Sequence, residues 1–388
     1  MITLGTVIRT CFIYLFRLFP ISQKKIFIAN FDGKGYGDNP KYICEALLAS
    51  DNDYEIVWEV DLLDEPMPEA VRKVKKNSVA ALFEAATAKV WIENNRKEIW
   101  YKKRKSQLYI QTWHAGIGFK KAEAAALGVL PKSYIRRAQM DSSMADVFLS
   151  GSRWETDKYS KYYWFHGPII KTGVPKQDIL FFAEDNKINK LREQFHIPKD
   201  VHVVLYAPTF RKDMTDFSIY NLQWESLLKA FEMKFGGRWK GVIRLHPGLK
   251  NTALEYDKDR VLNLSGVPDS QEVLLVSDAL ITDYSSVIFD FAITRRPSFV
   301  YAPDLKEYKQ DRDVYFDIEH LPFPFSVSQA ELINSIAEYD DAKYKEALRV
   351  FLQDECGVYP GGKASSLVSG LISRFVREGK IILDDIIS

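Results

Sequence analysis

The feature that most constrains this chain is an alternation. Short apolar runs rich in β-branched and aromatic residues each end in a polar or glycine-containing stretch, and most are followed by a segment of helical spacing. Residues 26–30, 54–60, 90–92, 108–111 and 147–150 read as buried strands. The pattern restarts near residue 200 with 201–206, 241–245, 279–282 and 298–301. Strands separated by helices pair in parallel, because a parallel neighbour can be reached only through a long crossover. The expectation is therefore an α/β fold made of two units in series. A chain of 388 residues exceeds the roughly 100–200 residues of one domain, which agrees. The stretch Gly173-Val174-Pro175, followed by a charged run over 184–190, marks the expected boundary, giving units 23–175 and 176–388, the second carrying C-terminal helices.

In open parallel sheets, ligands bind beyond the carboxyl ends of strands, so polar residues just after each run are the first place to seek chemistry. Asp283-Tyr284-Ser285-Ser286 follows the 279–282 run and precedes a helical pattern in Val287, Ile288, Phe291 and Ala292. Hydroxyls and free N–H groups at a helix start suit a phosphate; taken alone, the segment reads first as a simple Asp or Ser helix cap. Arg244-Leu245-His246-Pro247 ends another strand, with Arg244 and His246 on one side of it. The arginine offers a fixed charge and the histidine a donor or acid. Thr209, Phe210, Arg211 and Lys212 leave a third strand and add hydroxyl and cation. In the first half, Trp113-His114-Ala115-Gly116 follows the 108–111 run, with Lys120-Lys121 shortly after. Small residues after His114 admit close approach of a substrate, and an imidazole titrating near neutrality can take a proton from a hydroxyl.

Charge and composition limit the partners. The three cysteines, Cys11, Cys44 and Cys356, are too widely spaced for a zinc site or disulfide framework and fit a reducing compartment. Residues 1–175 hold 26 Lys plus Arg against 19 Asp plus Glu, about +7, and the remainder 27 against 33, about −6. The first half is expected to meet something anionic, such as phospholipid or a polyphosphate acceptor; solvated surface charge is the plainer alternative. The opening MITLGTVIRTCFIYLFRLFP places apolar residues at helical spacing, broken by Arg9, Thr10 and Arg17. Spanning a bilayer takes about 20 apolar residues, so residues 1–22 are expected to lie in the membrane plane as an amphipathic helix, the alternative being a helix packed on the protein's own core.

Taken in order, Gly35-Tyr36-Gly37-Asp38-Asn39-Pro40-Lys41, Trp113-His114 through Lys120-Lys121, 206–211, Arg244 to Pro247, and Asp283 to Ser286 with Phe289-Asp290 resemble the motif series of the CDP-glycerol glycerophosphotransferases of teichoic acid and capsule synthesis, over about residues 25–320. The resemblance implies a GT-B-like architecture, two Rossmann-like domains facing across a cleft, the first binding the acceptor and the second the CDP-polyol. It implies His114 as catalytic base and His246 as a second essential histidine. Gly116, Lys120, Thr209, Arg211, Arg244, Asp283, Ser285, Ser286 and Asp290 are expected to contact substrates. Where family members often carry Gly-Thr after the histidine, this chain has Ala115-Gly116, which leaves the donor and acceptor variant open.

The expected reaction is attack of an acceptor hydroxyl, on a lipid-linked glycan or polyol-phosphate chain, at the β-phosphorus of a CDP-polyol, with CMP leaving. No Asp-x-Asp motif follows a strand, so neither a metal nor another cofactor is expected, and no nucleic-acid partner. The expected location is the cytoplasmic face of the membrane, as a peripheral protein, and the chain's length favours single addition over polymerisation. Rival readings are CDP-ribitol as donor, a nucleotide-sugar glycosyltransferase or epimerase on the same scaffold, and a non-catalytic glycan- or membrane-binding module.

Overall fold

The computed structural model describes residues 3–50, 52–182, 184–211, 220–245, 256–311 and 313–382. Two compact units emerge, one made of Met1–Gly116, Ala122–Asp178 and Gly357–Ser388, the other of Ile117–Lys121 and Ile179–Cys356.

The first unit is built on seven strands: β1 (Ser22–Ala29), β2 (Glu55–Val60), β3 (Val71–Lys75), β4 (Ala88–Glu93), β5 (Leu108–Gln111), β6 (Val147–Leu149) and β7 (Ile169–Ile170). They lie in the order β3-β2-β1-β4-β5-β6-β7, every pair parallel. Side-chain alternation gives the sheet two apolar faces, as expected of a sheet covered on both sides. On one face Ile26, Ile28, Ile56, Trp58, Val90, Ile92, Leu108 and Ile110 form a core with Ile43, Cys44 and Leu47 of helix α2, Asp38–Leu48. On the other, Phe27, Val57, Trp91 and Tyr109 meet Ala81, Leu82 and Ala85.

Those alanines and Leu82 belong to helix α3, Val79–Thr87. The N-terminal helix α1, Leu4–Phe16, lies against it, capped by the Thr3 hydroxyl, which accepts from the Thr6 amide. Ile13 is buried in this core, with Phe12 and Phe16 at its margin, whereas Leu4, Val7, Ile8, Tyr14, Leu15, Leu18 and Phe19 remain exposed. One stripe therefore packs on the protein's own core, as the alternative reading expects, and the opposite apolar stripe is exposed. Among the described residues no helix is long and apolar enough to cross a membrane.

The second unit repeats the plan with β8 (Val201–Ala207), β9 (Arg238–Ile243), β10 (Val261–Asn263), β11 (Ala279–Thr282), β12 (Ser298–Tyr301) and β13 (Phe325–Ser326), in the parallel order β10-β9-β8-β11-β12-β13. In each sheet the order reverses beside the first strand, between β1 and β4 and between β8 and β11, where the crevice of a doubly wound sheet opens.

A single cut near residue 175 does not divide the chain. The C-terminal helix Ala364–Glu378, expected in the second unit, belongs to the first, because Val368, Leu371, Ile372 and Phe375 fill the α2 face of the first sheet. Conversely Ile117–Lys121 is part of the second unit: Lys120 bridges to Val314, and the Phe119 and Phe289 rings lie 4.8 Å apart.

Candidate active site

In the first unit the chain leaves β5 through Thr112 and Trp113. Trp113 has φ 51°, a left-handed backbone that an aromatic residue adopts only when its surroundings impose it. Here the Trp113 ring is seated edge-to-face on Tyr163, centroids 4.9 Å apart, and stacks at 4.6 Å on the His114 ring. His114 Nδ1 lies 2.7 Å from the backbone carbonyl of Asn94. A carbonyl only accepts, so the neutral imidazole carries its proton on Nδ1 and a lone pair on Nε2. Burial pushes the imidazole below its ordinary value, assisted by the charges of Lys176 and Lys158 and opposed by the Asn94 bond and Asp38. The ring is therefore neutral and oriented at physiological pH, with Nε2 as its acceptor nitrogen.

Asn94 stands just after β4, at the switch point, and is held in turn: its Nδ2 donates to Asn30 Oδ1 at 2.8 Å and Asp38 Oδ1 at 3.0 Å, and its Oδ1 accepts from the Phe31 amide at 2.7 Å. Asn39 Nδ2 donates to the Trp113 carbonyl at 2.8 Å. Lys176 Nζ donates to the His114 carbonyl at 2.8 Å and pairs with Asp38 at 3.3 Å. Gly116 has no room for a side chain: a Cβ there would collide with the Glu155 carboxylate. Gly116 is thus constrained by packing within its unit.

The second unit gathers Thr209 and Arg211 after β8 and Asp283 after β11. Both Asp283 carboxylate oxygens accept from the Thr209 amide, at 2.9 and 3.0 Å, and Asp283 also pairs with Arg211. Arg211 Nε and Nη2 bind Asp304 at 2.9 Å each. Two carboxylates therefore neutralise Arg211, and they hold its guanidinium charged despite burial. Asp283 is a clamp between strand ends. The Tyr284 and Tyr308 rings stack at 3.5 Å, with the Arg211 guanidinium 5.0 Å from the Tyr284 centroid. The Thr209 hydroxyl is buried and meets no partner among the described residues.

Arg244 differs. Its guanidinium donates to the Val267 carbonyl at 3.3 Å, its Nε has no partner, and it joins no ion pair among the described residues. Burial pushes its pKa down, with Asp269 opposing. A half-buried cation with no ion pair among the described residues is an arrangement an anionic ligand can complete.

Ser285 and Ser286 precede the short helix Val287–Ala292; Ser285 Oγ accepts weakly from the Val287 amide at 3.4 Å, while Ser286 at the N-cap makes no side-chain capping bond. Asp290 is buried and accepts from Gln271 Nε2 at 3.2 Å, a contact between helices. Lys120 lies 5.8 Å above the Tyr308 ring. His246 lies outside the described residues. Sequence reading missed Asn94, Lys158, Lys176 and Asp304; a buried lysine bonded to carbonyls has no periodic signal.

The family model for CDP-glycerol:poly(glycerophosphate) glycerophosphotransferase matches residues 11–374. The teichoic acid glycerol-phosphate transferase of Staphylococcus aureus is 31% identical over 359 residues, 88% of this chain and 90% of that protein. The teichoic acid poly(glycerol phosphate) polymerase of Staphylococcus epidermidis is 29% identical over 92% of this chain, which spans about half (52%) of that polymerase. The structure of a variant of the wall teichoic acid polymerase TagF soaked with CDPG superposes with a TM-score of 0.83 at 27% identity, covering 95% of this chain and 94% of that one. With two parallel sheets, a GT-B-like fold and a family match over nearly its whole length, the chain belongs to the CDP-glycerol:poly(glycerophosphate) glycerophosphotransferase family.

Proposed function

We propose that this chain transfers glycerophosphate from CDP-glycerol to a hydroxyl of a lipid-linked or polymeric acceptor in teichoic acid synthesis, with His114 as general base. The observation that carries the reading is the fixed tautomer of His114, whose Nδ1 proton is committed to the Asn94 carbonyl. The free Nε2 takes the proton of the acceptor hydroxyl as its oxygen bonds to the β-phosphorus. The bond from that phosphorus to the bridging oxygen breaks, and CMP leaves with the electron pair. Phosphoryl transfer depends on positioning and charge stabilisation. The second unit is suited to this through Arg244, the Thr209 hydroxyl and the Ser285-Ser286 turn, with His246 completing the anion-holding set. Arg211, neutralised by Asp283 and Asp304, shapes that set without supplying net charge.

The membrane side of the reading rests on α1. Its exposed apolar stripe and the basic run Lys102, Lys103, Arg104 and Lys105 are linked by Arg104, whose Nη2 donates to the Phe16 and Phe19 carbonyls at 3.0 and 2.8 Å. Apolar insertion plus adjacent cations is the two-signal pattern of a peripheral membrane protein.

The test is CMP release from CDP-glycerol, with CDP-ribitol in parallel, on a short lipid-linked disaccharide acceptor for wild type and His114→Ala. Acceptor-dependent release that falls at least a hundredfold in His114→Ala is expected, with the acid limb of kcat/KM below the ordinary imidazole pKa of about 6.5. Release unaffected by the substitution removes His114 as base; turnover of a UDP-sugar in place of either CDP-polyol overturns the donor class.

A further inference from the structure

The loop that carries His114 is gripped by two buried lysines, Lys176, which pairs with Asp38, and Lys158, which has no such counter-ion among the described residues. Lys158, on helix Arg153–Tyr162, is 5% exposed and forms no ion pair among the described residues. Its Nζ donates to the Ala115 carbonyl at 3.1 Å and the Gly116 carbonyl at 2.5 Å. The ammonium sits among aromatic rings, 4.6 Å from the Trp154 centroid, 4.9 Å from Tyr159 and 5.8 Å from Tyr163. The nearby Glu155 carboxylate is turned to the Gly151 amide at 2.6 Å. With Asn39 on the Trp113 carbonyl and Lys176 on the His114 carbonyl, four successive carbonyls from 113 to 116 are held by buried side chains, and three of them by ammonium groups.

We propose that Lys158, seconded by Lys176, is a positioning residue that draws the carbonyls of residues 114–116 inward and thereby fixes the His114 imidazole for proton transfer. The inference rests on His114 being the base. Burying a cation without a carboxylate is costly, and charge-assisted bonds to carbonyls are about twice as strong as neutral ones, so the arrangement trades stability for a fixed loop.

Burial pushes Lys158 down to about 8, with Glu155 opposing. The charged and titratable groups around it are Glu155, Tyr159 and Tyr163 from its own helix and its end, His114 from the loop it grips, and the Asp38–Lys176 pair beyond that loop. Glu123 and Arg96 lie behind Trp113 and Tyr163. Loss of the Lys158 proton weakens both carbonyl bonds, so the grip is present below about pH 8 and fades above it.

The experiment measures kcat and KM for CDP-glycerol against pH in wild type, Lys158→Met, Lys158→Arg and His114→Ala, with thermal melting as a fold control. The wild type is expected to lose kcat above about pH 8. Lys158→Met should lose ten- to a hundredfold in kcat with KM for CDP-glycerol little changed, melt no lower than wild type, and show no alkaline fall near that pH. Lys158→Arg, charged throughout, should regain part of the kcat and also lack that fall. A wild-type profile without the fall, Lys158→Met at wild-type kcat, or the same alkaline fall retained in both variants overturns the inference. If Lys158→Met does not fold, the wild-type and Lys158→Arg profiles decide. Failure of the base assignment is distinct: it shows as activity surviving in His114→Ala.

Discussion

Arg211 and Arg244 both follow strands of the second sheet, and from sequence both read as phosphate contacts. The structure separates them by what surrounds each guanidinium. Arg211 is bound by Asp283 and Asp304, so removing it leaves two carboxylates unpaired with their side chains 4% and 13% exposed. Arg211→Met is expected to cost about 3–5 kcal/mol of stability, read as a fall in Tm or urea midpoint. Arg244 has no counter-ion among the described residues to strand, and it is held against its own desolvation. Arg244→Met should therefore melt close to wild type while KM for CDP-glycerol rises at least tenfold, and equal losses of stability in the two variants would refute the distinction. Residue type and strand-end position were legible in the sequence for both. Their opposite roles were not, because Asp304 lies 93 residues from Arg211 and no spacing announces the pairing. His114 was legible because a histidine after a strand and before small residues is a local pattern; its partner is a backbone carbonyl, which sequence never displays.

At the scale of elements, the strand runs were readable because parallel strands buried on both faces are continuous apolar stretches. Strand β3, Val71–Lys75, was not among them: as an edge strand with exposed charged positions it lacks such a run. What the end of β4 carries was also hidden. Glu93 and, from β2, Glu59 share one ammonium, Lys97, at 2.9 and 2.8 Å, and Tyr101 donates to Glu59. Two carboxylates on one cation leave a buried excess of negative charge, and burial pushes Glu93 up to about 7, with Lys97 opposing and Glu59 adding to the rise. The folded protein therefore keeps a proton that the unfolded chain releases near its ordinary value of 4.5. The resulting stability is full below that value and is lost as pH rises through about 7. Glu93→Gln removes the titration and leaves Lys97 paired with Glu59 alone. Its stability should vary less between about pH 5 and 7 than that of wild type and exceed it at about pH 8, by on the order of 3 kcal/mol. Urea midpoints across that range check it, and parallel curves for the two proteins would exclude the linkage.

For the whole molecule, the two-unit α/β organisation followed from the restart of one pattern, but the path of the chain between units did not. Apolar spacing in Val368, Leu371, Ile372 and Phe375 predicts that a helix has a buried face, not which sheet receives it; the first sheet does, and the four residues join the core on its α2 face. The charge asymmetry and α1 bear on where such a molecule works. Leu15 and Leu18 are 52% and 81% exposed, and each contributes about 1.5–3 kcal/mol when fully transferred to an apolar phase. Neighbouring cations add about 1 kcal/mol each at an anionic surface, and that part is screened by salt. Leu15→Glu with Leu18→Glu reverses the first contribution and repels the second, while Ile13, Phe12 and Phe16 still anchor α1 to the protein. Co-sedimentation with vesicles containing anionic phospholipid should fall at least tenfold in the double variant, with CMP release onto a water-soluble acceptor retained. In the wild type, raising salt should weaken binding without abolishing it, because the apolar stripe remains. Wild-type protein that fails to sediment with such vesicles, or a double variant that binds as well as wild type, would instead assign the exposed stripe to a protein partner.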